Sequence, residues 1–349
     1  MTHALDKWLP AYLAQALRPR PGPPPGRPLT LLVAVADHFE PFGGGADRAL
    51  ALERLGAWER GLPRMAEGLA DAAGRPPQHD FFYPLEDYDP EVLDRLARLR
   101  EAGLGEVEVH LHHQGESPAE LEDLLAGHAE RLARRHGLLR PGAGGRPAYG
   151  FVHGNWALDN ALPGGRWCGV NGELAILART GCFADFTLPA APSPAQVRTI
   201  NSIYYARSRP GRPRGHERGR AAAVGAGPGG ELLLIQGVLA LDWRRRRGLL
   251  PAMENSELGA HRPPRPGRLA AWLRFAPSVA GAEEVRFLKL HCHGAPRRHH
   301  PALLGPPARA LWERLLAGYH AGQRFRTRFV TCWEMAQAVH ALERGEKVV

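Results

Sequence analysis

The sequence predicts an α/β protein folded as one distorted (β/α)7-type barrel, and two observations carry that expectation. Apolar, strand-like runs alternate with helical ones from residue 29 to residue 344, which calls for parallel strands joined by crossover helices. Three of those runs also end in metal-binding residue types. Residues 31–36 lead into Asp37-His38, 107–109 into His110-Leu111-His112-His113, and 285–290 into His291-Cys292-His293. A fourth, 149–152, stops at His153-Gly154-Asn155-Trp156. Polar side chains gathered at the carboxyl ends of successive strands mark the mouth of a barrel or sheet.

The elements follow in order. A short amphipathic helix is expected over 6–17, interrupted by Pro10, and the Pro/Gly/Arg-rich stretch 18–28 reads as a linker. Residues 1–28 therefore stand apart from a barrel spanning 29–349. Strand 29–36, helix 47–73, strand 79–83, helix 90–102, strand 106–112 and helix 118–136 come next. Asp89-Pro90 places a capping carboxylate before a proline at the first helical position. Ser117-Pro118-Ala119-Glu120 has capping-box spacing. The middle is less regular, with strand 148–152, helix 172–180, strand 183–187 and an inserted, solvated loop over 206–230. Regularity returns with strand 232–241, helix 268–275, strand 285–291, helix 307–319, strand 329–331 and helix 333–344. There is no internal repeat.

Composition narrows the function. At 349 residues, 44% hydrophobic and 23% charged, the chain has ample material for a core. Its net charge of +9 is almost all arginine, since lysine occurs only at positions 7, 289 and 347. No aromatic residues interleave with the basic ones, so the charge is not read as a nucleic-acid surface. Cys168, Cys182, Cys292 and Cys332 are widely spaced, with no C-x-x-C, which fits a reducing compartment. No run approaches the ~20 apolar residues of a membrane span, and no secretory leader is legible. The expectation is a cytoplasmic protein. Nucleophile-elbow, Walker A and dinucleotide-binding motifs are all absent.

His110 and His112 lie two apart on a strand, so both project from one face, while His113 points the other way. Such a pair offers two neutral nitrogen donors to zinc or another first-row ion; the bland alternative is a solvated histidine cluster. Asp37 and His38 add a carboxylate and a third imidazole. His291 and His293 also share a face, where metal binding competes with proton transfer. Cys292 between them faces away and reads as a packed thiol. Trp156 could stack on a sugar ring, with Asn155, Asp159 and Asn160 binding hydroxyls. Equally, this stretch could be an Asn/Asp-rich turn satisfying its own backbone. Asn171 could cap the helix that follows it.

The order of these motifs resembles the NodB-like polysaccharide deacetylases, metal-dependent carbohydrate esterases on a distorted (β/α) barrel. Their Asp-Asp strand end corresponds to Asp37-His38-Phe39-Glu40-Pro41, with histidine in the second place. Their histidine-rich strand end corresponds to His110-Leu111-His112-His113, and their Leu-x-His motif to Leu288-Lys289-Leu290-His291. The groove-lining strand exit falls at Phe151–Trp156, where His153-Gly154-Asn155-Trp156 departs from the family pattern. The resemblance covers residues 29 to 344.

What it implies is hydrolysis of an N-acetyl group on an amino-sugar polymer or glycoconjugate. A divalent metal ion, zinc by preference, would be held by His110 and His112 with His38 or Asp37. Asp37 would take a proton from water and His291 would return one to the leaving amine. His153, Asn155, Trp156 and His293 would line the carbohydrate groove. Two rivals are a dinuclear metallophosphoesterase using the same histidines, and a catalytically inactive carbohydrate-binding or assembly protein on a deacetylase fold.

Overall fold

Apolar runs close to the expected positions pair into one mostly parallel sheet in the computed structural model, which describes residues 4–19, 28–320 and 322–348. Most of the linker expected over 18–28 lies outside the described residues. The principal strands are β1 (Leu29–His38), β2 (Asp80–Pro84), β3 (Val107–Leu111), β4 (Pro147–His153), β5 (Cys182–Asp185), β6 (Ile203–Ala206), β7 (Leu232–Ile235), β8 (Glu257–Leu258), β9 (Val285–Cys292) and β10 (Gln323–Phe329). Their order is β8-β9-β1-β2-β3-β4-β5-β7-β6, with β10 also beside β1. Among these, only the β6–β7 pair is antiparallel.

β1 is the hub. One edge carries β9 from Thr30↔Val285 to Asp37↔Cys292. The other edge is shared, with β10 along Leu29–Val33 and β2 along Ala36–His38. A strand enclosed on both edges and both faces reads as a continuous apolar run, and all but one of its residues are buried.

The sheet curls strongly. Strands β2 and β5 are three ladder steps apart, which would separate them by about 14 Å in a flat sheet. Yet the rings of Phe82 and Phe186, one residue beyond β5, are 5.9 Å apart. Likewise Lys289 of β9 donates to the Phe186 carbonyl at 2.6 Å. Of the expected distorted (β/α)7-type barrel, the ladders give the curled, mostly parallel sheet without showing closure. No ladder among the described residues joins β8 at one edge to Arg220–Ala221, beyond β6, at the other.

Curling gives the sheet an inner and an outer face. Leu32, Ala34, Ala36, Phe82, Val152, Ala184 and Phe287 pack together on the inner face. Leu31, Val33, Val35, Val107, Val109, Leu111, Phe151, Leu288 and Leu290 point outward. Helix α1 (Leu5–Leu17) precedes the first strand, and the outer layer is formed by α2 (Arg48–Ala66), α3 (Pro90–Glu101), α4 (Pro118–His136) and α5 (Glu173–Thr180), through residues such as Trp58, Leu96, Leu125 and Leu174. No helix among the described residues is long and apolar enough to cross a membrane.

The predicted caps form, and Asp89 accepts from Glu91 N and Val92 N. Asp47, for which no cap was expected, also caps its helix, accepting from Leu50 N. The capping box of Ser117 and Glu120 is complete. Helix 47–73 stops early, at Ala66, because Gly68 takes a left-handed φ of 70°. The single strand expected over 232–241 ends at Ile235, and a hairpin of Ala240–Arg247 with Leu250–Glu254 follows. β6, just before the expected 206–230 loop, was not legible. Replacing Ser117 by alanine removes one side of a reciprocal cap and should cost about 1 kcal/mol, read as a lower urea midpoint with an unchanged slope.

Candidate metal centre

Alternation along the strands sorts the polar residues into two groups. On β1, Ala34 and Ala36 face inward, so His38 does too, while Asp37 follows Val33 and Val35 outward. On β3, Val109 and Leu111 face outward, which turns His110 and then His112 inward and His113 outward. On β9, Phe287 sets an inward face for Lys289, His291 and His293, with Cys292 outward. The register levels these positions, with Ala36 beside His291, and Pro84 beside His110, which in turn pairs Val152.

The inner group forms a compact cluster at the strand ends. The His38 ring centroid lies 4.7 Å from that of His293, 5.2 Å from His110, 6.0 Å from His291 and 6.2 Å from Trp156. His110 and His112 are 4.6 Å apart. Glu40 Oε1 stands 3.3 Å from His110 Nε2 and 3.9 Å from His112 Nε2. His38, His110 and His291 are almost wholly buried, whereas Glu40, His112, Trp156 and His293 form a half-exposed rim.

Three ring nitrogens here have no hydrogen-bond partner: His38 Nε2, His110 Nε2 and His291 Nδ1. His110 Nδ1 donates to the Val152 carbonyl at 2.8 Å, which leaves Nε2 as the nitrogen that faces the cluster. Glu40 Oε1 is the carboxylate oxygen it faces, at 3.3 Å. Buried polar atoms without partners are costly and rare, and His38, Glu40 and His110 bring one donor atom each within 4.8 Å of one another. This donor set fits a divalent first-row cation. Glu40 was missed from sequence, although its place two residues beyond His38 at a strand exit was a usable signal.

Electrostatics favour neutral donors. Burial, aided by neighbouring imidazoles and Lys289, pushes His38 and His291 well below the usual imidazole range. Burial works against Glu40, but His110 and its neighbours overcome it and hold the carboxyl at about 2. His112 moves the other way: burial opposes it, yet Glu86, 2.5 Å from its Nδ1, raises it above the ordinary value.

Two expected site residues lie elsewhere. Asp37 accepts from His79 Nε2 at 2.8 Å and from Gly294 N at 2.6 Å, on the outer face beside Cys292. There it clamps the turn that carries His293. A Cβ at Gly294 would sit 2.1 Å from Asp37 Oδ2, so only glycine fits. His153 faces outward as well, with its Nε2 3.0 Å from that of His113, and does not join the mouth. Trp156 does reach it, after left-handed backbone at Asn155 and at Trp156 itself (φ 54° and 57°). Asp159, Asn160 and Asn171 are used internally. Asp159 Oδ1 accepts from Gly172 N and Glu173 N, capping α5 from a distance, and Asn160 donates to Asn171.

No family model matches the sequence, and no curated protein does. Among solved structures, the 4-α-glucanotransferase of Thermococcus litoralis is similar at 11% identity with a TM-score of 0.41, over 89% of this chain. The chain spans 40% of that enzyme's length. Likeness at that level assigns neither a fold family nor an activity.

Burial also pulls His153 down to about 4 and His216, both of whose ring nitrogens lack partners, down to about 3. An unfolded chain takes up these protons near pH ~6.5 while the folded one does not. Stability conferred by the neutral rings is therefore complete above that pH and is lost progressively as pH falls toward the folded values. Urea midpoints of chelator-treated protein should drop between about pH 7.5 and about pH 5. His216→Phe should flatten that slope.

Proposed function

We propose that this chain is a metal-dependent hydrolase that removes the N-acetyl group from an amino sugar in a polysaccharide or glycoconjugate. The observation that carries the reading is the convergence of the partnerless imidazole nitrogens of His38 and His110 with Glu40 at the strand ends, with the His291 ring, also partnerless at Nδ1, 6.0 Å from that of His38. Those residues would hold the ion, and zinc suits a donor set of neutral nitrogens with one carboxylate. When bound, such an ion polarises a carbonyl and acidifies water, the chemistry that amide hydrolysis needs.

The other roles follow from the chain's own groups. His291 is buried and held neutral, which suits a ligand rather than the proton donor expected from the resemblance. Asp37 is committed to His79 and Gly294, so it serves to position the His293 turn rather than to act as base. The better proton donor is His112, which is half-exposed and kept basic by Glu86. From the rim its Nε2 would protonate the departing amine. Trp156 and His293 flank the opening, where an indole face would stack on a sugar ring. Support for a carbohydrate amide comes from this wall and from the motif order.

The dinuclear rival is not favoured. Two adjacent ions need one cavity, and the remaining candidate ligands Asp37, His113 and His153 face the other side of the sheet.

Acetate release from N-acetylated oligosaccharides, measured with metal content, tests the reading. His110→Ala should lose the inner ion and activity together. His112→Gln should lower the rate by about 10²-fold or more while metal is retained. If zinc-loaded wild-type protein releases no acetate from any such glycan, the deacetylase reading fails.

A further inference from the structure

On the outer face, behind the strands that carry the proposed active site, lies a second polar cluster that the proposed chemistry does not use. His113, His153, Cys168 and Glu173 are all buried, and one donor atom from each lies within 4.8 Å of the others. His113 Nε2 and His153 Nε2 are 3.0 Å apart. Glu173 Oε1 is 3.2 Å from the first and 3.4 Å from the second. Cys168 Sγ is 3.6 Å from the other oxygen of the same carboxylate.

The outward-facing atoms explain why this arrangement needs a cation. His153 Nδ1 donates to the Gly154 carbonyl at 2.5 Å. His113 Nδ1 faces the Glu116 carboxylate at 3.3 Å, which also accepts. A ring that keeps its proton on Nδ1 turns a bare Nε2 lone pair toward the centre, and although burial opposes it, the carboxylates of Glu173 and Glu116 raise His113 above the ordinary imidazole value, so the centre favours positive charge. Two lone pairs and a carboxylate oxygen, packed within 3.4 Å in a dry interior, repel one another unless something positive sits among them. Glu173 Oε2 accepts from Asp159 N at 2.5 Å, so the carboxylate too is held from behind. Ligands oriented by outer hydrogen bonds are the habit of metal sites.

We infer that His113, His153, Cys168 and Glu173 form a closed, structural zinc site, distinct from the open centre at the strand mouth. Bonds of about 2.0–2.1 Å in a tetrahedron put nitrogen and oxygen ligands about 3.3 Å apart, and the observed separations bracket that value. Binding replaces the Cys168 thiol proton, which leaves to solvent, and makes the thiolate the fourth ligand. Full burial and four protein ligands leave no place for water or substrate, as in structural rather than catalytic sites. The ion would join the exit of β3, the exit of β4, the loop carrying Trp156 and the first residue of α5. None of these is adjacent to all the others in sequence, so the ion would act as a staple beneath the substrate wall.

The thiolate separates this site from the inner one, which has no sulfur ligand. Wild-type chain is purified, stripped, reloaded with cobalt(II) and examined by absorption, with metal content measured in parallel. A thiolate-to-cobalt charge-transfer band with tetrahedral d–d intensity is expected, and it should vanish in Cys168→Ser while inner-site metal remains. Zinc content should fall by one ion per chain in Cys168→Ser and in His153→Gln, and also by one ion, the inner one, in His110→Ala, which keeps the band. A cobalt-loaded wild-type protein with no thiolate band would overturn the site, and so would unchanged zinc content in both outer-face variants. In either case the occupant is a proton shared between His113 and Glu173. Because the spectrum is read on wild-type protein, poor folding of a variant does not rescue the inference. Because neither readout is acetate release, failure of the deacetylase reading leaves it standing.

Discussion

Two-residue alternation along three parallel strands is the constraint from which the rest of this molecule follows. Once β1, β3 and β9 are in register, each neighbouring pair of polar residues at their ends is forced to opposite faces of one sheet. His38 turns in and Asp37 out, His112 in and His113 out, His291 in and Cys292 out. A single ridge of strand ends thus supplies two chemically different environments from residues adjacent in sequence.

The two environments differ in what they leave open. The inner one has wholly buried imidazoles at its floor and a half-exposed rim of Glu40, His112, Trp156 and His293. Its unsatisfied nitrogens are themselves buried, beneath a rim that solvent reaches. The outer one is buried, and its two imidazoles and its carboxylate are held from behind. Openness is what separates a site that can turn over substrate from one that holds the fold.

β1 ties the inner cluster to the outer layer. Its outward Asp37 anchors Gly294 N, and Trp58 Nε1 donates to the carbonyl of the same glycine at 2.9 Å. That turn delivers His293 to the inner cluster. Below it, Lys289 is buried with its ammonium on the Phe186 carbonyl, and burial lowers it to about 8. Whatever charge it carries discourages protonation of His38 and His291 above it, so the floor of the site favours lone pairs over protons.

Local chemistry determined the features that were legible from sequence. The capping residues, the strand runs, the shared face of His110 and His112, and the outward turn of Cys292 each depend only on neighbours a few positions away. The curl of the sheet, the entry of Glu40, the retreat of Asp37 and His153, and the meeting of Cys168 and Glu173 with His113 and His153 depend on contacts between distant segments. Those were decided by tertiary structure alone. A strand pattern states which residues share a face, but only the packed helices and the hydrogen-bonded register decide which face becomes the mouth and which the core.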